Sequence, residues 1–137
     1  MESAEQRLLL LISRLQHLIQ ADANAYAGVI QAYRLPKTDP SRATAISANL
    51  MLATRVPLET AELAREAASR LRALLMQAKP SVASDLRVGL LMALAAIQGG
   101  LENVRANLKY IRNQLFTEDI LRRVNDIEQS LVELKGL

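Results

Sequence analysis

The chain contains no cysteine and no tryptophan, and only one phenylalanine, three tyrosines and one histidine. Without cysteine there is no disulfide, no thiolate metal site and no cysteine nucleophile. His17 has no second histidine with which to hold a metal, so no metal centre is expected. The scarcity of aromatic side chains weighs against nucleic acid, which is bound through stacking groups and a basic stripe or reading helix. The 17 Lys and Arg are scattered among 14 Asp and Glu, leaving a net charge of +3, so no nucleic-acid partner is expected. Leu8–Ile12 is too short to cross a bilayer and is bracketed by Arg7 and Arg14, and it lacks the small-residue cleavage site of a signal peptide. The expectation is therefore a cytoplasmic protein with no membrane partner. Strand signals are absent too, with no sustained period-two alternation and no Asn-Gly or Asp-Gly hairpin.

What is present is helix-forming. Half of the residues are hydrophobic, and they are mostly Leu, Ala, Ile and Val, of which Leu and Ala favour helices. The 137 residues suit a single domain, 1–137, with a real core. The fold class expected is all-α, a bundle of long and partly kinked helices. The first helix is read from about Ser3 to Arg34, stopped by Pro36, which pushes Leu35 out of the α region. A second starts with Asp39 as N-cap and Pro40 at the first helical position and runs to about Ala78. Pro57 inside it predicts a kink or break near Arg55–Val56, and Glu66 and Arg70 form an i,i+4 pair. Lys79-Pro80-Ser81 is read as the next joint and Ser84–Asn113 as the third helix. Thr117 is read as the cap of a fourth, with a Phe116–Leu121 hydrophobic staple.

The third helix carries two adjoining stripes. Leu90, Leu94, Ile97, Leu101, Val104, Leu108 and Ile111 are large, whereas Gly89, Ala93, Ala96 and Gly100 are small and lead into Asn103, Asn107 and Tyr110. So wide an apolar arc makes this helix central. Its length of about 45 Å predicts that a partner subunit covers part of it.

Polar residues that interrupt the apolar pattern are the candidate site. Asp22 falls in the stripe Leu8, Leu11, Leu15, Leu18, Asp22, Ala25, Val29. A carboxylate on a buried seam must be paired, hydrogen-bonded or protonated. Desolvation would raise its pKa toward the range of a general acid or base; the alternative is a buried Asp satisfied by an arginine or by helix-end amides. Asn103 and Asn107, one turn apart, offer amide groups to a planar heterocycle, or else fix the register between two helices. Gly99-Gly100 serves close packing or makes room for a ligand, the former being favoured. Arg105, Lys109 and Arg112 form a basic row, read either as a solvated face or as a landing site for an anionic tail. His17 falls on the polar side of the first helix, and Met51 and Met76 look like core filler.

The segments Asp22-Ala23-Asn24-Ala25-Tyr26, Tyr33-Arg34-Leu35-Pro36-Lys37, Val56-Pro57-Leu58, Ser84-Asp85-Leu86 and Asn103-Val104-Arg105-Ala106-Asn107-Leu108 occur in this order and spacing in one family. From about Leu8 to Phe116 the chain resembles the cyclodeaminase/cyclohydrolase family. That family comprises the cyclodeaminase domain of formiminotransferase-cyclodeaminase and related bacterial methenyltetrahydrofolate cyclohydrolases. The resemblance implies an all-helical homodimer acting on one-carbon tetrahydrofolates, as a lyase or hydrolase, with no metal or organic cofactor. It places the family's catalytic aspartate on Asp22. It also implies substrate contacts from Tyr26, Lys37, Asp85, Asn103 and Asn107; apart from any family motif, a folate's glutamate tail would give the row of Arg105, Lys109 and Arg112 a partner.

The chain departs from the family pattern at three places. Gln20 stands where the family has the first Asp of an Asp-x-Asp pair, and Lys79-Pro80 replaces a Gly-Asn before Ser84-Asp85. The family's glycine-rich segment and small-residue helix would fall ahead of Met1. A degenerate relative, a non-catalytic helical dimer or subunit, is thus the alternative to the enzyme.

Overall fold

The structure is a computed structural model and describes residues 1–136. Four helices follow one another, α1 (Ala4–Arg34), α2 (Arg42–Leu75), α3 (Pro80–Leu108) and α4 (Gln114–Lys135), with no strand among the described residues. The class is all-α, in agreement with the composition.

The helix ends show which local signals prevail. α1 starts in a capping box: Ser3 Oγ accepts from the Gln6 N–H at 3.1 Å, and Gln6 Oε1 accepts from the Ser3 N–H at 2.9 Å. Leu35, ahead of Pro36, is extended, as expected. α2 starts two residues later than the Asp39-Pro40 signal predicts. The Asp39 carboxylate accepts from the Ser41 N–H and hydroxyl at 2.8 and 2.7 Å, closing a tight Asx turn ahead of the helix. Arg42 then donates from its guanidinium to Leu35 O and Tyr33 O, capping the end of α1.

α2 ends at Leu75 and α3 begins at Pro80, so the predicted joint at Lys79-Pro80-Ser81 is in fact the first turn of α3. Proline is suited to that first position because its missing N–H would have had no helical partner. α3 ends at Leu108 rather than Asn113, because Asn113 is the cap of α4, its Oδ1 accepting from the Phe116 N–H at 3.0 Å. Thr117 therefore lies within α4, and Leu121 is exposed, so no staple forms across it. Pro57 does not break α2, which is continuous from Arg42 to Leu75.

α2, not α3 as the wide apolar arc predicts, is the central element, packing against α1, α3 and α4. The main core joins α2, α3 and α4 through Leu58, Leu90, Ile97, Leu101, Val104, Ile120 and Ile127, among others. A second, small cluster of Leu18, Ala25 and Val56 joins α1 to α2, and Val29 of α1 packs against the main core. α2 also supplies the charges that hold its neighbours. Glu66 pairs with Arg7 at 2.7 Å and Glu59 with Arg14 at 2.6 Å on α1, while Glu62 pairs with Arg123 at 2.8 Å on α4. Met51 packs against the core as expected, but Met76 lies past the end of α2 and is 83% exposed.

By length and composition α3 could cross a membrane, with mean hydropathy 1.4 over its most apolar stretch. One edge of it is the bundle core, yet only 17% of that stretch is buried. Val88, Leu91 and Met92 face outward.

Candidate functional site between α1, α2 and α3

Short connections make successive helices antiparallel, so α1 and α3 run parallel on either side of α2. Their backbones stay more than 8 Å apart, and the gap between them is a groove floored by α2. Two adjoining cavities of about 300 Å³ each occupy it. One is lined by Asp22, Tyr26, Val29, Leu50, Ala53, Pro57, Asn103, Ala106 and Asn107. The other, nearer the start of α1, is lined by Leu15, Leu18, Ile19, Asp22, Pro57, Thr60, Gly100 and Asn103. Asp22, Pro57 and Asn103 belong to both, so they sit where the two meet. Each cavity is at the small end of the range for ligand sites.

The groove brings together Asp22 and Tyr26 from α1 with Asn103 and Asn107 from α3. Asp22 is exposed to solvent, not buried. The buried seam of α1 is Leu11, Leu18, Ala25 and Ala32, one residue per heptad, with Leu8, Leu15 and Val29 only half-buried beside it. A helix that packs on a single neighbour buries a narrow strip, so Asp22 lies on the flank of that strip at the lip of the groove. It has no buried pairing partner because its position requires none.

Asn107 is half-buried, and its Nδ2 donates to Ala53 O at 3.1 Å across the α2–α3 interface. It makes a contact between helices, as the register reading expects, and it also lines the cavity. Asn103 is exposed. Close approach of α3 to α2 depends on Gly100, where a Cβ would lie 2.7 Å from Pro57 O and 3.1 Å from Ala61 Cβ. A Cβ at Gly99 would meet nothing within 4 Å.

The other residues singled out in the sequence lie elsewhere. Arg105 is on the far side of α3, where it pairs with Glu102 at 2.7 Å and with Glu128 of α4. Lys109 is the exposed C-cap of α3, and Arg112 follows the end of the helix, so the basic row is not one helical face. Lys37 is exposed in the α1–α2 connection and lines neither cavity. Asp85 is in the first turns of α3, about 27 Å along the helix from Asn103. His17 is exposed, its Nδ1 2.8 Å from Ser13 O.

Sequence reasoning missed Ala53 and Thr60 as lining residues and treated Pro57 only as a kink. Proline in a helix also leaves an unpaired carbonyl four residues earlier, and that signal points to Ala53.

Residues 1–126 match the formiminotransferase-cyclodeaminase family. The chain belongs to this family. Among curated relatives, the formimidoyltransferase-cyclodeaminase of Mus musculus is 32% identical over 121 residues, covering 85% of this chain and 22% of that protein. The one from Gallus gallus is 32% identical over 111 residues, covering 78% and 20%. The methenyltetrahydrofolate cyclohydrolase of Methylorubrum extorquens is 32% identical over 124 residues, covering 88% of this chain and 58% of that protein. The chain thus spans about a fifth of the length of the animal relatives and somewhat over half of the bacterial one.

Proposed function

We propose that the chain acts in folate one-carbon metabolism, on a tetrahydrofolate carrying its one-carbon unit as an amidine-like group, with Asp22 as the acid/base residue. The observation that carries this reading is the convergence of Asp22, Tyr26, Asn103 and Asn107 on one groove in a member of this family. The bacterial relative is named for hydrolysis of methenyltetrahydrofolate, and the animal relatives for cyclodeamination. In the first reaction a water adds to the methenyl carbon, one carbon–nitrogen bond opens, and a formyl group remains on the other nitrogen. In the second, the folate nitrogen that does not carry the formimino group attacks its carbon, the methenyl bridge closes and ammonia leaves. Both reactions need a group that takes a proton from the attacking atom or gives one to the departing nitrogen. A carboxylate at the lip of a groove lined with amides and apolar side chains can do either, and neither step calls on a metal or organic cofactor.

We also propose a homodimer. The outward-facing Val88, Leu91 and Met92 of α3 and Leu9, Leu10 and Ile12 of α1 support it, because monomers seldom leave so much apolar surface uncovered.

Titration of the purified protein with methenyltetrahydrofolate, followed by the absorbance of the methenyl group, tests the enzyme reading. Saturable binding with turnover is expected, and Asp22→Asn should lower the rate about 10²- to 10⁴-fold while leaving binding in place. Binding without turnover in the wild type would support the non-catalytic subunit instead. No binding would sink both folate readings.

A further inference from the structure

Pro57 has no N–H, so the Ala53 carbonyl four residues earlier has no donor within α2. Asn107 of α3 takes that place, with Nδ2 3.1 Å from Ala53 O. A carbonyl only accepts, so the amide has one permitted orientation here: the reverse would set two oxygens against each other. With one Nδ2 hydrogen held on α2, Oδ1 is the polar atom of Asn107 that has no bond at all. It has no protein partner and is not sealed from solvent, and the residue lines the cavity that also holds Asp22. Pro57 is held from the other side as well, since its own carbonyl lies where a Cβ on Gly100 would come within 2.7 Å.

We propose that Pro57 is a positioning residue for Asn107: by withdrawing the helical donor from Ala53 O it locks the Asn107 amide with its acceptor toward the ligand. The groove then presents acceptors on two sides, the Asp22 carboxylate from α1 and Asn107 Oδ1 from α3. The ligand group that meets Asn107 Oδ1 is accordingly a hydrogen-bond donor, an N–H or NH₂ such as the aminopyrimidinone part of a pterin carries. An alanine at position 57 would restore the backbone N–H, close the α2 bond to Ala53 O, and release the amide to turn its donors toward the ligand. The choice of ligand rests on the folate reading above, whereas the lock itself does not.

The test has two arms, applied to the wild type, Pro57→Ala, Asn107→Ala and the double variant. Without ligand, the Asn107 side-chain NH₂ protons are followed by NMR exchange with water. Slow exchange is expected in the wild type and free-amide exchange in Pro57→Ala, with a melting temperature that does not fall. With ligand, methenyltetrahydrofolate affinity should weaken about fivefold in Pro57→Ala, the effect of one lost hydrogen bond. Asn107→Ala should weaken it at least as much, and the double variant no further than Asn107→Ala. If Pro57→Ala leaves the NH₂ exchange slow, there is no lock and the proposal fails. If exchange becomes fast but affinity is unchanged, the amide is not a ligand contact and the proposal fails at that step. Absence of binding in the wild type overturns the folate reading and the donor-edge assignment with it, while the NMR arm still decides the lock.

Discussion

Gly99 and Gly100 are adjacent in the sequence and identical in propensity, yet their surroundings oppose each other. A methyl group at Gly100 would run into the backbone of α2 at Pro57 O, whereas one at Gly99 would meet open space. Alanine carries a helix advantage of about 1 kcal/mol over glycine, so Gly99→Ala is expected to raise the melting temperature. Gly100→Ala must push α2 and α3 apart and should destabilise by about 1–3 kcal/mol, lowering it. Thermal unfolding of the two variants side by side checks the close approach; equal shifts would contradict it. The sequence alone favoured packing over ligand room for the pair, which holds for Gly100 but not for Gly99. Asp22 is another residue for which spacing was informative and burial was not. Its place in the heptad pattern was legible, but whether that line of the helix is buried depends on how many neighbours α1 has.

At the scale of elements, α1 is held to α2 by a small apolar cluster and two ion pairs, with Val29 reaching the main core. The Arg7 guanidinium, aided by Arg70, holds the Glu66 carboxyl down at about 2. In the unfolded chain that carboxyl has an ordinary pKa near 4.5. As the pH falls below 4.5, the unfolded state therefore takes up the proton first. The stabilisation is complete above that value and is lost as the pH falls toward 2. Both side chains are about a third exposed, and solvent screening reduces the contribution to about 1 kcal/mol. Glu66→Gln should lower stability by that amount at pH 7 and by almost nothing at pH 2, measured by denaturant unfolding at the two pH values. A difference that persists at pH 2 would mean that the charge is not the cause. The Glu66–Arg70 pair is legible from i,i+4 spacing, but Arg7 lies far away in sequence and meets Glu66 only because α1 folds back along α2. Helix boundaries follow the same division. The Ser3 cap and the stop at Pro36 are local and readable, while the start of α4 at Asn113 competes with an equally good local signal at Thr117.

At the scale of the molecule, three helices side by side leave one groove and much apolar surface open. The proposed homodimer would cover the outward face of α3. Light scattering after size exclusion should return the mass of two chains. Leu91→Glu should shift it toward one chain while helicity by circular dichroism is retained. A wild-type mass of one chain would refute the dimer. Leu91 is on the outer side of α3 and lines neither cavity of the groove, so its substitution tests assembly apart from ligand binding.

The helical class and the four helices follow from local sequence, because period, propensity and proline placement act within a few residues of each other. The sequence also carries the family resemblance, and it isolates Asp22, Tyr26, Asn103 and Asn107. That these four share one groove while Lys37, Asp85, Arg105 and Lys109 lie away from it is a matter of how the helices pack. So is the meeting of Asn107 with the carbonyl left unpaired by Pro57. Such facts depend on which helix faces which and at what register. Those are set by side-chain packing summed over the whole interface, which spacing along one helix does not encode.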